Sequence, residues 1–125
     1  MTPGDVPLLR WLLLTASLFA APACLPRHGV ELPYGDDVRQ RLDVYRPAGE
    51  QGPRPVVVFL YGGRWQHGTK RTYRFLGNVF SEAGVVAVVP DYRLYPEVRF
   101  PGWVEDAARV IHWVHDSIGR FGGNP

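Results

Sequence analysis

The sequence predicts an α/β fold in which an antiparallel hairpin leads into a parallel sheet flanked by helices. Three observations carry this. Residues 56–60 (VVVFL) and 85–89 (VVAVV) are wholly apolar and mostly β-branched, without alternation, the pattern of strands buried on both faces. Between them, apolar residues recur at helical spacing, and strand, helix, strand in that order makes a parallel crossover. Ahead of them, two alternating segments flank Gly35-Asp36, a turn dipeptide, and read as a hairpin.

Composition narrows the function classes. A chain of 125 residues has room for one domain, and its 46% hydrophobic content supports a folded core rather than disorder. The formal charge of +2 and the scattered basic residues exclude a nucleic-acid footprint. Cys24 is the only cysteine, so neither an internal disulfide framework nor a cysteine zinc site can form within one chain. No cofactor is implied.

Residues 1–23 read as an export signal. Arg10 precedes an apolar stretch over residues 11–21, too short to span a bilayer comfortably, and Ala21-Pro22-Ala23 offers a small-residue cleavage site. Cleavage there makes Cys24 the first mature residue. That placement resembles a bacterial lipoprotein with a lipid-carrying Cys24 and a membrane anchor; ordinary signal-peptidase cleavage at the same bond is the alternative. The expected location is therefore the bacterial cell envelope, lipid-anchored, or the periplasm or medium. Residues 24–29 read as a linker and residues 30–125 as the domain.

Within the domain, Val30, Leu32 and Tyr34 share one face of the first strand. Val38, Leu42 and Val44 are expected on one face of the second, with Arg39, Arg41, Asp43 and Tyr45 on the other. Residues 46–53, rich in Pro and Gly, make a surface loop. Gly68-Thr69 offers an N-cap for a helix through about Ala83. Phe75, Leu76, Val79, Phe80 and Ala83 form its expected buried face; Lys70, Arg71, Arg74 and Glu82 are expected in water. Gly84 closes this helix. A last helix starts near Trp103, with Ala107, Val110, Ile111, Val114 and Ile118 at helical spacing, Glu105 and Asp106 in its first turn, and Gly122-Gly123 at its end.

The stretch with chemical potential is Tyr61-Gly62-Gly63-Arg64-Trp65, directly after the first buried strand. Two glycines there let the backbone turn sharply and leave amide N–H groups free of side-chain bulk. Such groups can hold a developing oxyanion, and they are equally the mark of a plain glycine turn.

Four segments in order decide between these readings: Tyr61 to Trp65, Pro90-Asp91-Tyr92-Arg93-Leu94, Phe100-Pro101 through Glu105-Asp106-Ala107, and Gly122-Gly123-Asn124-Pro125. Together they resemble the N-terminal part of an α/β-hydrolase of the esterase/lipase group, akin to feruloyl-esterase-like, hormone-sensitive-lipase-like, kynurenine-formamidase-like and prenylcysteine-methylesterase-like enzymes. The resemblance implies that the Gly63 and Arg64 amides are oxyanion-hole donors, that Gly62 shapes the loop, and that Tyr61, Trp65 and Asp91 support it. The family's leading His is Tyr61 here. Its nucleophile lies in Gly-x-Ser-x-Gly, and none of Ser17, Ser81 and Ser117 has that setting.

The expectation is thus a domain cut before the nucleophile strand, lacking nucleophile, acid and base and inactive alone. Its parent would be a carboxylic-ester hydrolase acting on a small-molecule ester. An arylformamidase parent, or a non-catalytic short form that binds a ligand or partner, is the alternative. His112 and His115, one helical turn apart, read as solvated rather than metal-binding, because no third ligand is evident. His67 and His28 read as loop residues.

Overall fold

The computed structural model describes residues 29–49 and 52–125. Residues 1–23, expected to be an export signal, and Cys24 and His28 lie outside the described residues, as does Ser17. Strand β1 (Val30–Pro33) pairs antiparallel with β2 (Arg41–Tyr45), Val30 opposite Val44 and Pro33 opposite Arg41. The connection is longer than a two-residue turn, because it wraps the buried Gln40 side chain. Gln40 Oε1 accepts the Asp37 amide at 3.1 Å, and Gln40 Nε2 donates to Asp106 at 2.7 Å. Val38, expected on the core face of the strand, therefore sits in this connection at 85% exposure.

The sheet order is β1-β2-β4-β3, with β4 (Val86–Pro90) antiparallel to β2 and parallel to β3 (Val56–Val58). All five residues of β4 are buried, as its unbroken apolar run predicts. Strand β3 departs from the same expectation: it lies at the sheet edge and its three valines are only half-buried. An unbroken apolar run reports the chemistry of both faces, not the number of neighbouring strands.

Helix α1 (Arg74–Glu82) follows a 3-10 turn at Lys70–Tyr73, whose Thr69 cap accepts the Arg71 amide. Its buried side matches expectation only in part: Leu76 and Phe80 are half-buried, Phe80 against Tyr45, Ala87 and Val89. Phe75 and Val79 are exposed, as is Ala83 beyond the helix end, whereas Gly77 and Ser81 are buried. Gly77 is the contact point: a Cβ there would run into the Tyr45 ring, so the helix approaches β2 by its smallest residue. That approach covers the sheet face bearing Asp43 and Tyr45, which are buried rather than wet.

Helix α2 (Gly102–Ser117) covers the opposite face through Val110, Val114 and, in the following 3-10 turn, Ile118, packed on Leu42, Val44, Val86 and Val88. Each such side chain contributes about 1.5–3 kcal/mol on leaving water. Ile111, expected on this face, is 53% exposed. Beyond the turn, Gly123 bridges Arg54 in parallel, just ahead of β3. At the other end of the sheet, the carboxyl ends of β3 and β4 and the start of α2 converge.

Candidate active site

Three segments meet at that carboxyl end: the glycine loop after β3, residues 91–95 after β4, and Trp103 on α2. The loop backbone is left-handed at consecutive positions, with φ of 145° at Gly63, 55° at Arg64 and 62° at Trp65. For the two non-glycine residues this conformation costs roughly 1–2 kcal/mol each. Specific contacts hold it. The Gly63 carbonyl accepts the amides of Gln66 (3.0 Å) and His67 (3.1 Å), and the Trp65 carbonyl accepts the Tyr95 amide at 2.8 Å. The Trp65 ring stacks on Trp103 with centroids 5.6 Å apart and meets Tyr92 edge-on. A Cβ on Gly63 would collide with the His67 carbonyl, so only glycine fits there.

The outcome is a run of four amides, Gly62 through Trp65, with no hydrogen-bond acceptor among the described residues. Gly62, Arg64 and Trp65 are exposed. Successive unpaired N–H groups in such a turn form a concave anion site.

Below the loop lies a rigid base. Tyr61 is 2% exposed, and its ring stacks between Tyr73 and Tyr92 at 5.5 and 4.7 Å. Its hydroxyl donates to Asp91 Oδ1 at 2.7 Å, and the same oxygen accepts the Lys70 amide at 2.8 Å. Burial first, then the hydrogen bond to Asp91, pushes the Tyr61 hydroxyl well above the usual phenol range, so it stays a donor. The Tyr92 hydroxyl donates to the Tyr61 carbonyl at 2.6 Å. Arg39 ties these parts together: Nε donates to the Tyr92 carbonyl (3.0 Å), and Nη2 to the Gly68 carbonyl (2.9 Å) and the Tyr61 hydroxyl (3.3 Å).

Two buried ion pairs lie one layer further in, and both depart from expectation. Lys70, expected in water, is 3% exposed, with Nζ 2.5 Å from both Asp43 and Glu31. Burial alone would lower its pKa; the hydrogen bonds to the two carboxylates outweigh that and raise it. Asp106, expected as a helix-start charge, is fully buried and holds Arg93 through its backbone amide (3.0 Å) and its guanidinium (2.7 Å). Burial opposes ionisation of Asp106, but hydrogen bonds from Arg93 and Gln40 prevail and hold its carboxyl below the usual range. This pair anchors the segment after β4. Asp91 itself reaches across to Tyr61 and Lys70 rather than along the loop that follows it.

The remaining polar candidates stand apart. The Ser81 hydroxyl is turned to the Asn78 carbonyl (2.9 Å) near the far end of α1, and Ser117 ends α2. His112 and His115 are exposed and face Asp116 at 3.5 and 3.0 Å. His67 is exposed beside the loop. Nothing in residue spacing marks Arg39, Gln40 or the Lys70–Asp43 pair as site components, because their partners lie 22 or more positions away.

The BD-FAE family model matches residues 42–125, which include the glycine loop and the residues that support it except Glu31, Arg39 and Gln40. The chain belongs to the BD-FAE family. Among curated proteins, it is 40% identical over 92 residues to a probable isoprenylcysteine alpha-carbonyl methylesterase of Arabidopsis thaliana, covering 74% of this chain and 19% of that protein. It is 36% identical over 94 residues to esterase LipC of Mycobacterium tuberculosis, covering 73% and 23%. Among solved structures, a thermophilic esterase of Thermogutta terrifontis with bound propionate superposes with a TM-score of 0.69 at 30% identity, over 78% of this chain and 38% of that one. The fold is accordingly that of the α/β-hydrolase esterases, and this BD-FAE chain spans about a fifth of the length of the curated relatives it matches.

Proposed function

We propose that this chain supplies the oxyanion-loop part of a serine carboxylic-ester hydrolase whose nucleophile, acid and base lie outside these 125 residues. The observation that carries this is the run of acceptor-free amides at residues 62–65, held in a strained turn at the carboxyl end of β3. In the reaction, a serine hydroxyl attacks the ester carbonyl carbon and the carbonyl electron pair moves onto oxygen. The Gly63 and Arg64 amides donate to that oxyanion, each worth roughly 3 kcal/mol in the transition state. The substrate is a small-molecule ester, in keeping with the esterases to which the chain is similar. We place the protein in the exported fraction, on the apolar stretch and small-residue site of residues 11–23.

The test uses both the 125-residue chain and the longest protein encoded by its reading frame. The longer protein should hydrolyse p-nitrophenyl acetate and take up one phosphoryl group from paraoxon on a serine in Gly-x-Ser-x-Gly. The 125-residue chain should do neither. Sustained turnover by the 125-residue chain, with Ser81 or Ser117 acylated, would overturn the assignment.

A further inference from the structure

At the end of the sheet opposite the glycine loop, three arginines surround one concavity. Arg46 follows β2, Arg54 precedes β3 and Arg120 follows α2; with Gly49, Gly52 and Gly122 they line a cavity of about 640 Å³. No carboxylate is among its described lining residues, and Glu50 lies outside the described residues. The Arg46 and Arg120 guanidiniums have no partner among the described residues, and Arg54 makes only a 3.4 Å bond to the Gly84 carbonyl. Guanidinium forks suit phosphate oxygens, and the neighbouring glycines leave backbone open to them.

Topology gives this end a neighbour. Because β1 runs antiparallel to β2 with Val30 opposite Val44, the chain enters the fold beside Tyr45 and Arg46. Residues 1–28, with the apolar stretch at 11–21 and Cys24, therefore join the domain at the arginine-lined end. Strand β4, about 17 Å long, separates this end from the glycine loop.

We propose that Arg46, Arg54 and Arg120 form a docking surface for the phosphate headgroups of an anionic phospholipid bilayer. It seats the domain on the membrane with the glycine loop facing water. Each arginine near an anionic surface strengthens partition about fivefold, so three give on the order of a hundredfold.

The test is co-sedimentation of the full 125-residue chain, carrying Cys24→Ala so that no lipid anchor contributes. Phosphatidylglycerol-containing and pure phosphatidylcholine vesicles are compared at low and high salt. Binding should favour the anionic vesicles, fall with salt, and drop about a hundredfold in R46Q/R54Q/R120Q, while R46K/R54K/R120K retains most of it. Unchanged circular dichroism keeps a folding failure of the glutamine variant from counting as support. Equal binding by the glutamine variant would overturn the proposal. So would inorganic phosphate occupying the cavity with no preference between vesicles, which would make it a soluble-anion site. Vesicle binding is independent of ester hydrolysis, so failure of one assignment leaves the other standing.

Discussion

The Tyr61 hydroxyl, at the end of β3, donates a 2.7 Å hydrogen bond to the Asp91 carboxylate at the end of β4. The bond pins the root of the glycine loop to the neighbouring strand, and the same Asp91 oxygen caps the 3-10 turn at Lys70. Burial and the Asp91 hydrogen bond keep this phenol protonated, so it remains a donor. Tyr61→Phe preserves the stacked rings and removes only the hydroxyl. It should cost about 1–2 kcal/mol in urea unfolding, at the upper end because Asp91 and Arg39 each lose a partner. A loss below about 0.5 kcal/mol would show that the hydroxyl does not brace the loop.

Arg39 reaches the Tyr92 carbonyl, the Gly68 carbonyl and the Tyr61 hydroxyl from a single guanidinium. Two of these acceptors bound the glycine loop on either side. Arg39→Gln should leave the sheet intact and loosen the loop. Exchange of the Gln66 and His67 amides, the hydrogen-bonded ones in the loop, should speed by at least about tenfold, with β4 amides unaffected. In the longer protein, kcat should fall while KM changes little, because the role proposed for the loop is in the transition state.

Gly63→Ala tests the loop directly. The new methyl would meet the His67 carbonyl, and φ of 145° is closed to alanine. The turn must reopen, the Gln66 and His67 amides lose their shared acceptor, and the amides proposed as oxyanion donors move. Hydrolysis by the longer protein should fall about 100-fold or more, while the thermal midpoint shifts by only a few degrees because the core is remote.

Strand β4 is legible in the sequence because residues buried on both faces must all be apolar, and five in a row are. The glycine loop is legible only through the order of the later segments, because Gly-Gly after such a run is equally a plain turn. The rest depends on pairings that no local pattern carries. Lys70 looks like a solvated lysine until Asp43 and Glu31 are brought to it from two other strands. Asp106 looks like a helix-dipole charge until Arg93 and Gln40 surround it. The face of α1 is misread at Phe75 and Val79, though not at Phe80, because periodicity ranks them above Gly77. Packing favours the residue that lets the helix approach Tyr45. For Val38, alternation continues through a connection that hydrogen bonds to Gln40, from the Asp37 and Tyr34 amides, have already bent out of the strand.

Lys70→Met removes the cation from a pocket where the Asp43 side chain is 6% exposed. A buried carboxylate left without its partner is strongly unfavourable, so the variant should lose about 3–5 kcal/mol in urea unfolding. Lys70→Met/Asp43→Leu should recover much of that loss, because the one carboxylate left without its partner, Glu31, is 56% exposed at its side chain and is solvated by water. No recovery would mean that packing around Lys70, rather than charge pairing, sets the cost.

The same pocket contributes to the alkaline limb of stability, beside Tyr34, Tyr61 and Tyr92, whose hydroxyls burial also pushes up. Lys70 has a raised pKa when folded, so its stabilisation is complete below its unfolded value of 10.5 and is lost as pH rises through the folded value. The Tyr45 hydroxyl, 3.4 Å from Asp43, is pushed up from 10.0 to about 12, by burial first and then by the Asp43 charge. The unfolded tyrosine ionises first, so the folded state holds more protons between these values and stability falls with pH there as well. Tyr45 alone accounts for a loss on the order of 2–3 kcal/mol between pH 10 and pH 12. Urea midpoints measured every half unit from pH 8 to pH 12 should therefore be flat at first and then drop. Tyr45→Phe should shallow the drop by that amount; an identical slope would mean that Tyr45 titrates alike in both states.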